Sequence, residues 1–209
     1  MKPLSAYSEF DMARRCAAIL LTFAVIFSAL LAGAYQLTKN TIAQNIEMER
    51  LKIIQNLLPN GFYDNDLLRD FIELKPEPRL GQKKSSHLIL ARKNNAIRAF
   101  LTEAIAPDGY GGAIRLMIAV DVNGVLLGAQ VLAHKETPGL GDYIAKKGDS
   151  AWIKQFQNQT GDFKIQKDGG VVTYRAGATI SARAVTNAIS RAVAFVNENR
   201  NAFLEGGQK

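Results

Sequence analysis

One stretch of the chain differs from all the rest: from Cys16 to Thr38 no residue is charged, and aliphatic and aromatic side chains dominate. These 23 residues, at about 1.5 Å of helical rise each, are long enough to cross a hydrocarbon core of about 30 Å with some tilt. Thr22, Ser28 and Gly33 are the polar or small exceptions. A membrane helix tolerates each, because hydroxyls bond back to the helix backbone and small residues let a neighbour approach. The pattern predicts one membrane helix over 16–38, and no later segment is apolar enough to span again. A cleavable secretory signal would share the basic flank and the small residues of Ala32-Gly33-Ala34. Its apolar region would be shorter, and the helical pattern would not continue beyond the cut. A lipoprotein signal would need cysteine where Ala34 stands, and Arg14-Arg15 lacks the neighbours of a twin-arginine signal. An uncleaved anchor is the expectation.

The helical pattern runs on past the anchor. Thr41 to Leu58 contains no Gly or Pro; Ile42, Ile46, Ile53 and Leu57 form an apolar edge, and Glu47, Glu49, Arg50 and Lys52 are expected to face water. Pro59-Asn60-Gly61 stops the helix. This predicts a stalk helix over 39–60 whose apolar edge packs on the following domain or on a partner.

From His87 the pattern changes to short β-type runs, at 87–92, 96–105, 113–122 and 125–133. Asn94-Asn95 and Asn123-Gly124 punctuate them, the second pair being a strong hairpin signal. A mixed helix-and-loop region follows over 139–159 and includes the sole tryptophan, Trp152. A further short strand is expected at Phe163–Gln166 and a turn at Asp168-Gly169-Gly170. A long helix over 181–203 closes the chain, with Val185, Ile189, Ala192, Val193 and Val196 on its core face. The sum is an α+β fold: an antiparallel sheet with packed helices, carried on a single N-terminal transmembrane helix and stalk.

With 209 residues there is room for one ordinary domain beside the anchor. The formal charge of +7 raises the possibility of nucleic acid. The basic residues, however, are scattered and form no dense run or stripe with interleaved aromatics. No nucleic-acid partner is expected, and a solvated surface near anionic membrane lipid accounts for the charge. Lys2, Arg14 and Arg15 precede the apolar run and Lys39 follows it, so the positive-inside rule leans towards a cytoplasmic N-terminus. The single cysteine, Cys16, lies within the apolar run and forms no intrachain disulfide.

Three loops carry candidate chemistry. Ala176-Gly177-Ala178-Thr179-Ile180-Ser181 opens the last helix. Gly177 and Ala178 are small enough for close approach of a ligand, and the first helical turn offers unpaired N–H groups suited to a phosphate. Ser181 is placed to cap the helix or to donate to a phosphate oxygen; the same pattern fits a plain cap by Thr179 or Ser181 after a glycine turn. His134-Lys135-Glu136-Thr137-Pro138-Gly139-Leu140-Gly141 follows a strand. Its proline and glycines fix a tight turn, and Leu140 between them suits a flat apolar ligand as well as an ordinary loop. Gly109-Tyr110-Gly111-Gly112 enters the next strand, with Tyr110 placed to cover a planar ligand or to fill the rim of the core. His87 and His134 are isolated and lack metal spacing, and no nucleophile–His–Asp set, nucleotide P-loop or Cys/His cluster appears.

Taken in order, Gly109-Tyr110-Gly111-Gly112, Glu136-Thr137-Pro138-Gly139-Leu140-Gly141 and Gly177-Ala178-Thr179 resemble the FMN-binding domain of respiratory ion-pump subunits. Over nearly its full length the chain is similar to the G subunit of Rnf electron-transport complexes. The stalk ending Leu57-Leu58-Pro59, the segment Tyr63-Asp64-Asn65-Asp66-Leu67-Leu68 and the helix sequence Arg183-Ala184-Val185-Thr186-Asn187-Ala188 carry that narrower match. The resemblance implies FMN esterified through its phosphate to Thr179 by a separate flavin transferase, which draws on FAD and magnesium. It implies that Glu136, Thr137, Leu140 and Gly141 lie against the isoalloxazine ring, near Gly177, Ala178, Ile180, Ser181 and Tyr110. It implies a cytoplasmic segment 1–15 and a periplasmic FMN-binding domain 61–209 at a bacterial inner membrane. Other membrane and redox subunits of the complex are the expected partners. Two positions depart from the family pattern: Ala176 stands where Ser or Thr is usual, and Thr173 where Asp is usual. The implied function is a flavin relay between NADH and ferredoxin coupled to ion transport, with no stand-alone activity. Alternatives are the flavin subunit of a sodium-pumping quinone reductase, a membrane scaffold that has lost its flavin, and a periplasmic flavin reductase acting alone.

Overall fold

A computed structural model describes residues 9–146, 148 and 151–207. Lys2 and the rest of residues 1–8 in the expected N-terminal segment lie outside the described residues. So do Lys147, Asp149 and Ser150 of the expected mixed region, and residues 208–209. The chain divides into two units, Met1–Glu49 and Arg50–Lys209.

The described residues of the first unit are helical. Helix α1 (Glu9–Leu57) runs for 49 residues without a break, so the expected anchor and stalk are one element. The large apolar side chains of the 16–38 segment are exposed, from Ile26 at 49% to Leu37 at 82%. Thr22 and Thr38 turn their hydroxyls inward and donate to the carbonyls of Ala18 and Ala34, each at 2.8 Å. A long apolar helical segment that buries nothing, with its hydroxyls bonded to its own backbone, fits a single-pass membrane anchor. The expected apolar edge is split: Ile42 and Ile46 are exposed, and only residues beyond Glu49 are buried.

In the second unit the last two turns of α1 lead into a five-stranded antiparallel meander: β1 (Phe71–Leu74), β2 (Ser86–Lys93), β3 (Ala96–Ala106), β4 (Ile114–Asp121) and β5 (Leu126–Ala133), in that spatial order. Asn94 and Asn95 both adopt positive φ, 51° and 64°, which makes the β2–β3 connection a two-residue type I′ turn. At the β4–β5 corner Gly124 takes φ 86°. The Asp121 carboxylate accepts there from the N–H groups of Asn123 and Val125, both at 2.8 Å. Period-2 alternation sends Leu88, Leu90, Phe100, Leu116, Ile118 and Val120 to one face. Ile89, Ala91, Leu101, Met117 and Ala119 go to the other. Both faces are covered, which explains the nearly continuous apolar runs of β2–β5.

The larger core lies under helix α2 (Thr179–Gly206), which starts two residues before the expected Ser181 and ends three beyond Phe203. Its expected stripe of Val185, Ile189, Ala192, Val193 and Val196 is at most 2% exposed. Burying each Val or Ile contributes about 1.5–3 kcal/mol. Ile54, Leu57, Leu58 and Leu67 cover the opposite face of the sheet. Strand β1 was not expected, and the strand expected at Phe163–Gln166 is not formed. Phe163 instead exchanges hydrogen bonds with the Ser190 hydroxyl on α2, at 2.8 and 2.9 Å. Ile165 makes one isolated bridge to Val172, and a 3-10 turn, Gln166–Asp168, follows.

Candidate functional site

The three glycine-bearing loops converge beside the start of α2. Pro138 and Gly139, the latter at φ 77°, form a type II turn closed by the Leu140 N–H on the Thr137 carbonyl at 3.1 Å. This turn presents Leu140 outward, 43% exposed. Gly177 takes φ 85°, a left-handed conformation that glycine adopts without strain. A Cβ there would meet only Leu140, at an ordinary 3.4 Å. Glycine is therefore favoured at 177 by backbone conformation and not by crowding from the protein itself. The next residue, Ala178, is the N-cap of α2 and has no side-chain acceptor. Neither Thr179 nor Ser181 caps the helix, so the N–H groups of Thr179, Ile180 and Ser181 in the first turn lack a capping side chain.

Ser181 is committed elsewhere. It is buried and its hydroxyl donates to the carboxylate of Glu136. The other oxygen of that carboxylate accepts from the Gly111 N–H at 3.0 Å. Glu136 N–H donates in turn to His134 Nδ1 at 3.1 Å. Gly111 is tightly required, because a Cβ there would lie 2.0 Å from the Lys135 carbonyl oxygen.

Around this frame lies a pocket of about 320 Å³ lined by Tyr110, Glu136, Thr137, Leu140, Gly141, Gly177, Ala178, Ile180 and Ser181. These are nine of the ten expected site residues; the tenth, Thr179, sits half-buried between Ala178 and Ile180 in the same helical turn. Tyr110 is 70% exposed and Ile180 48%, so Tyr110 does not fill the core. With Leu140 these two make an apolar rim to a pocket that also takes in the uncapped start of α2. An anionic group suits the helix start and a flat apolar one suits the rim.

Several supporting contacts were not anticipated. Tyr143 is buried, its hydroxyl accepts from the Arg175 N–H at 3.2 Å, and the Arg175 guanidinium covers its ring at 4.9 Å. Burial pushes the Tyr143 hydroxyl above its ordinary pKa, partly offset by Arg175. The Trp152 indole N–H donates to the Thr173 carbonyl at 2.6 Å, and the Thr173 hydroxyl bonds Gln155 at 3.1 Å. Together these contacts hold the segment that enters α2. One turn further along, Arg183 grips Asp168 through two hydrogen bonds of 2.6 and 2.7 Å. Single tyrosines and arginines in a basic chain give no sequence signal of such pairings; only the lone tryptophan stood out.

Comparison with known proteins agrees with this geometry. Residues 109–194 match the model of the FMN-binding domain, and residues 1–57 match that of the RnfG N-terminal region. The chain is 38% identical over 193 residues to the G subunit of the ion-translocating oxidoreductase complex of Vibrio cholerae serotype O1 (strain M66-2), covering 90% of this chain and 91% of the relative. The proteins of the same name from Pasteurella multocida (strain Pm70) and Shewanella amazonensis (strain ATCC BAA-1098 / SB2B) are 37% and 39% identical. Those alignments cover 88% and 85% of this chain, and 94% and 85% of the relatives.

Proposed function

Because the chain belongs to the family of G subunits of ion-translocating oxidoreductase complexes and carries an FMN-binding domain, we propose that it relays electrons between NADH and ferredoxin through FMN esterified to Thr179, coupled to ion transport. The observation that carries this reading is the uncapped start of α2 beside the apolar rim. The residues fit FMN. The first-turn N–H groups of Thr179, Ile180 and Ser181 would receive its phosphate, and Tyr110, Leu140 and Ile180 would flank its ring, with Thr137 and Gly141 in the pocket wall. When bound, FMN supplies the redox chemistry. The side chains of this chain tether, orient and partly desolvate it.

Attachment is a phosphoryl transfer. The Thr179 Oγ–phosphorus bond forms, the pyrophosphate bond of FAD breaks, AMP leaves and the hydroxyl proton is released. A separate flavin transferase performs this step. The α1 segment over 16–38 anchors the protein in the bacterial inner membrane, with residues 1–15 cytoplasmic and the domain periplasmic, where the other redox subunits of the complex meet it. The test is in-gel flavin fluorescence on denatured protein coexpressed with its transferase. Wild type is expected to fluoresce and Thr179→Val to be dark. A dark wild-type band beside a flavinylated control protein would overturn covalent attachment.

A further inference from the structure

Glu136 draws the three loops of the site together. Its side chain is 5% exposed yet lines the pocket. One carboxylate oxygen holds the Gly111 N–H at 3.0 Å and the other holds the Ser181 hydroxyl. The surrounding glycines leave space for that carboxylate. A Cβ on Gly109 would come within 2.9 Å of one oxygen, and a Cβ on Gly141 within 2.9 Å of the other and 3.0 Å of Ser181 Oγ. Both oxygens accept and neither donates, the arrangement of an ionised carboxylate. Among the described residues no Lys, Arg or His forms an ion pair with it.

We infer that Glu136 is a positioning residue that clamps the Gly109–Gly112 loop to the first turn of α2 and fixes a negative charge in the pocket wall, so that the bound flavin is harder to reduce. The inference rests on the reading that FMN occupies this pocket. A buried charge without a cation acts through a low dielectric, so it opposes the arrival of electrons more strongly than a solvated one would. The Ser181 hydroxyl partly neutralises that charge. Because its proton is directed to Glu136, the phosphate is left to the backbone N–H groups.

The two partners therefore make opposite predictions. In the full-length, flavinylated protein, Glu136→Gln keeps the shape and removes the charge. It is expected to raise the ratio of reduced to oxidised flavin at fixed potential about tenfold, a positive midpoint shift of ~30 mV for a two-electron couple. Ser181→Ala leaves the charge less compensated and is expected to move the midpoint the other way by a smaller amount. A residue that only holds shape would leave both potentials alone or move them together, and either result overturns the inference. Should Glu136→Gln fail to fold, as judged by circular dichroism, the sign for Ser181→Ala decides. A negative shift supports the inference, and no shift or a positive one overturns it. A wild-type protein without flavin would overturn the underlying cofactor reading and this inference with it, and flavin content measured on the same sample separates the two cases.

Discussion

Helices α1 and α2 are the two long helices among the described residues, and both are rich in aliphatic side chains, yet they treat those side chains in opposite ways. In α2 the apolar stripe recurs at three and four positions and all but vanishes from solvent, Val185, Ile189 and Ala192 being 0% exposed. In α1 from Cys16 to Thr38 they occur all round the helix, and Leu30, Leu31 and Leu37 are 62–82% exposed. A stripe identifies a helix that completes a protein core; apolarity without a polar face identifies one that needs another solvent. The same amino acids thus serve a soluble fold or a bilayer according to period alone.

The largest expected effect breaks the comparison at the buried stripe. Ile189→Ala should cost about 2–5 kcal/mol of domain stability, because it leaves a cavity under the sheet. Leu30→Ala in α1 should change domain unfolding by less than about 0.5 kcal/mol. Chemical denaturation of the detergent-solubilised chain, followed by Trp152 fluorescence, distinguishes the two. Equal effects would mean that the 16–38 segment of α1 contributes to domain stability as the α2 stripe does.

The converse substitution places a charge in each helix. Val25→Arg at the middle of the apolar run should oppose membrane insertion by about 2.5–3.5 kcal/mol. Ala194→Arg, on the exposed side of α2, should alter domain stability by no more than about 0.5 kcal/mol. Membrane fractionation reports the first and thermal melting the second. Full membrane retention of Val25→Arg would argue against a spanning role for this segment.

A further difference lies at the ends of the helices. The N-terminus of α2 is built into the pocket through loops that must lie close together. Gly111→Ala would place a Cβ 2.0 Å from the Lys135 carbonyl oxygen, and relieving that overlap should cost about 1–3 kcal/mol. Flavin incorporation should fall along with the melting temperature. Normal incorporation at wild-type stability would show that the two loops can separate without loss of the site.

How much of this was legible in the sequence follows from the range of each interaction. Strands β2–β5 were readable as apolar runs cut by Asn94-Asn95 and Asn123-Gly124, and the stripe of α2 because its 3.6 period repeats over several turns. Strand β1, with four residues and one buried side chain, is too short to show a period. Pro138, Gly139 and Gly177 announced their turns through backbone chemistry alone, whereas the grouping of the three loops into one site came only from the family resemblance. The bonds that join the loops could not. Glu136 meets Gly111 and Ser181 across 25 and 45 residues of chain, and local pattern does not specify which distant side chains pair. The expectation for Ser181 as a cap or phosphate donor missed that a buried carboxylate competes for its hydroxyl.

The smallest expected effect concerns the outer face of α2, where charge replaces burial. The hydrogen bonds from Arg183 hold the Asp168 carboxyl below its ordinary pKa, and the nearby charges of Arg183 and Lys167 act in the same direction. A carboxyl with a lowered folded-state pKa contributes stability above its unfolded value and loses that contribution as pH falls through the folded value. The loss therefore begins as pH drops below about 4, the ordinary aspartate range. The pair is exposed, so solvent and salt screen it and the contribution is small. Asp168→Asn should melt slightly below wild type at pH 7, and the gap should close as the medium is acidified. Added salt at pH 7 should narrow it as well. A gap that persists or widens at low pH would show that the two bonds to Arg183 position the loop after Ile165 by geometry and not by charge.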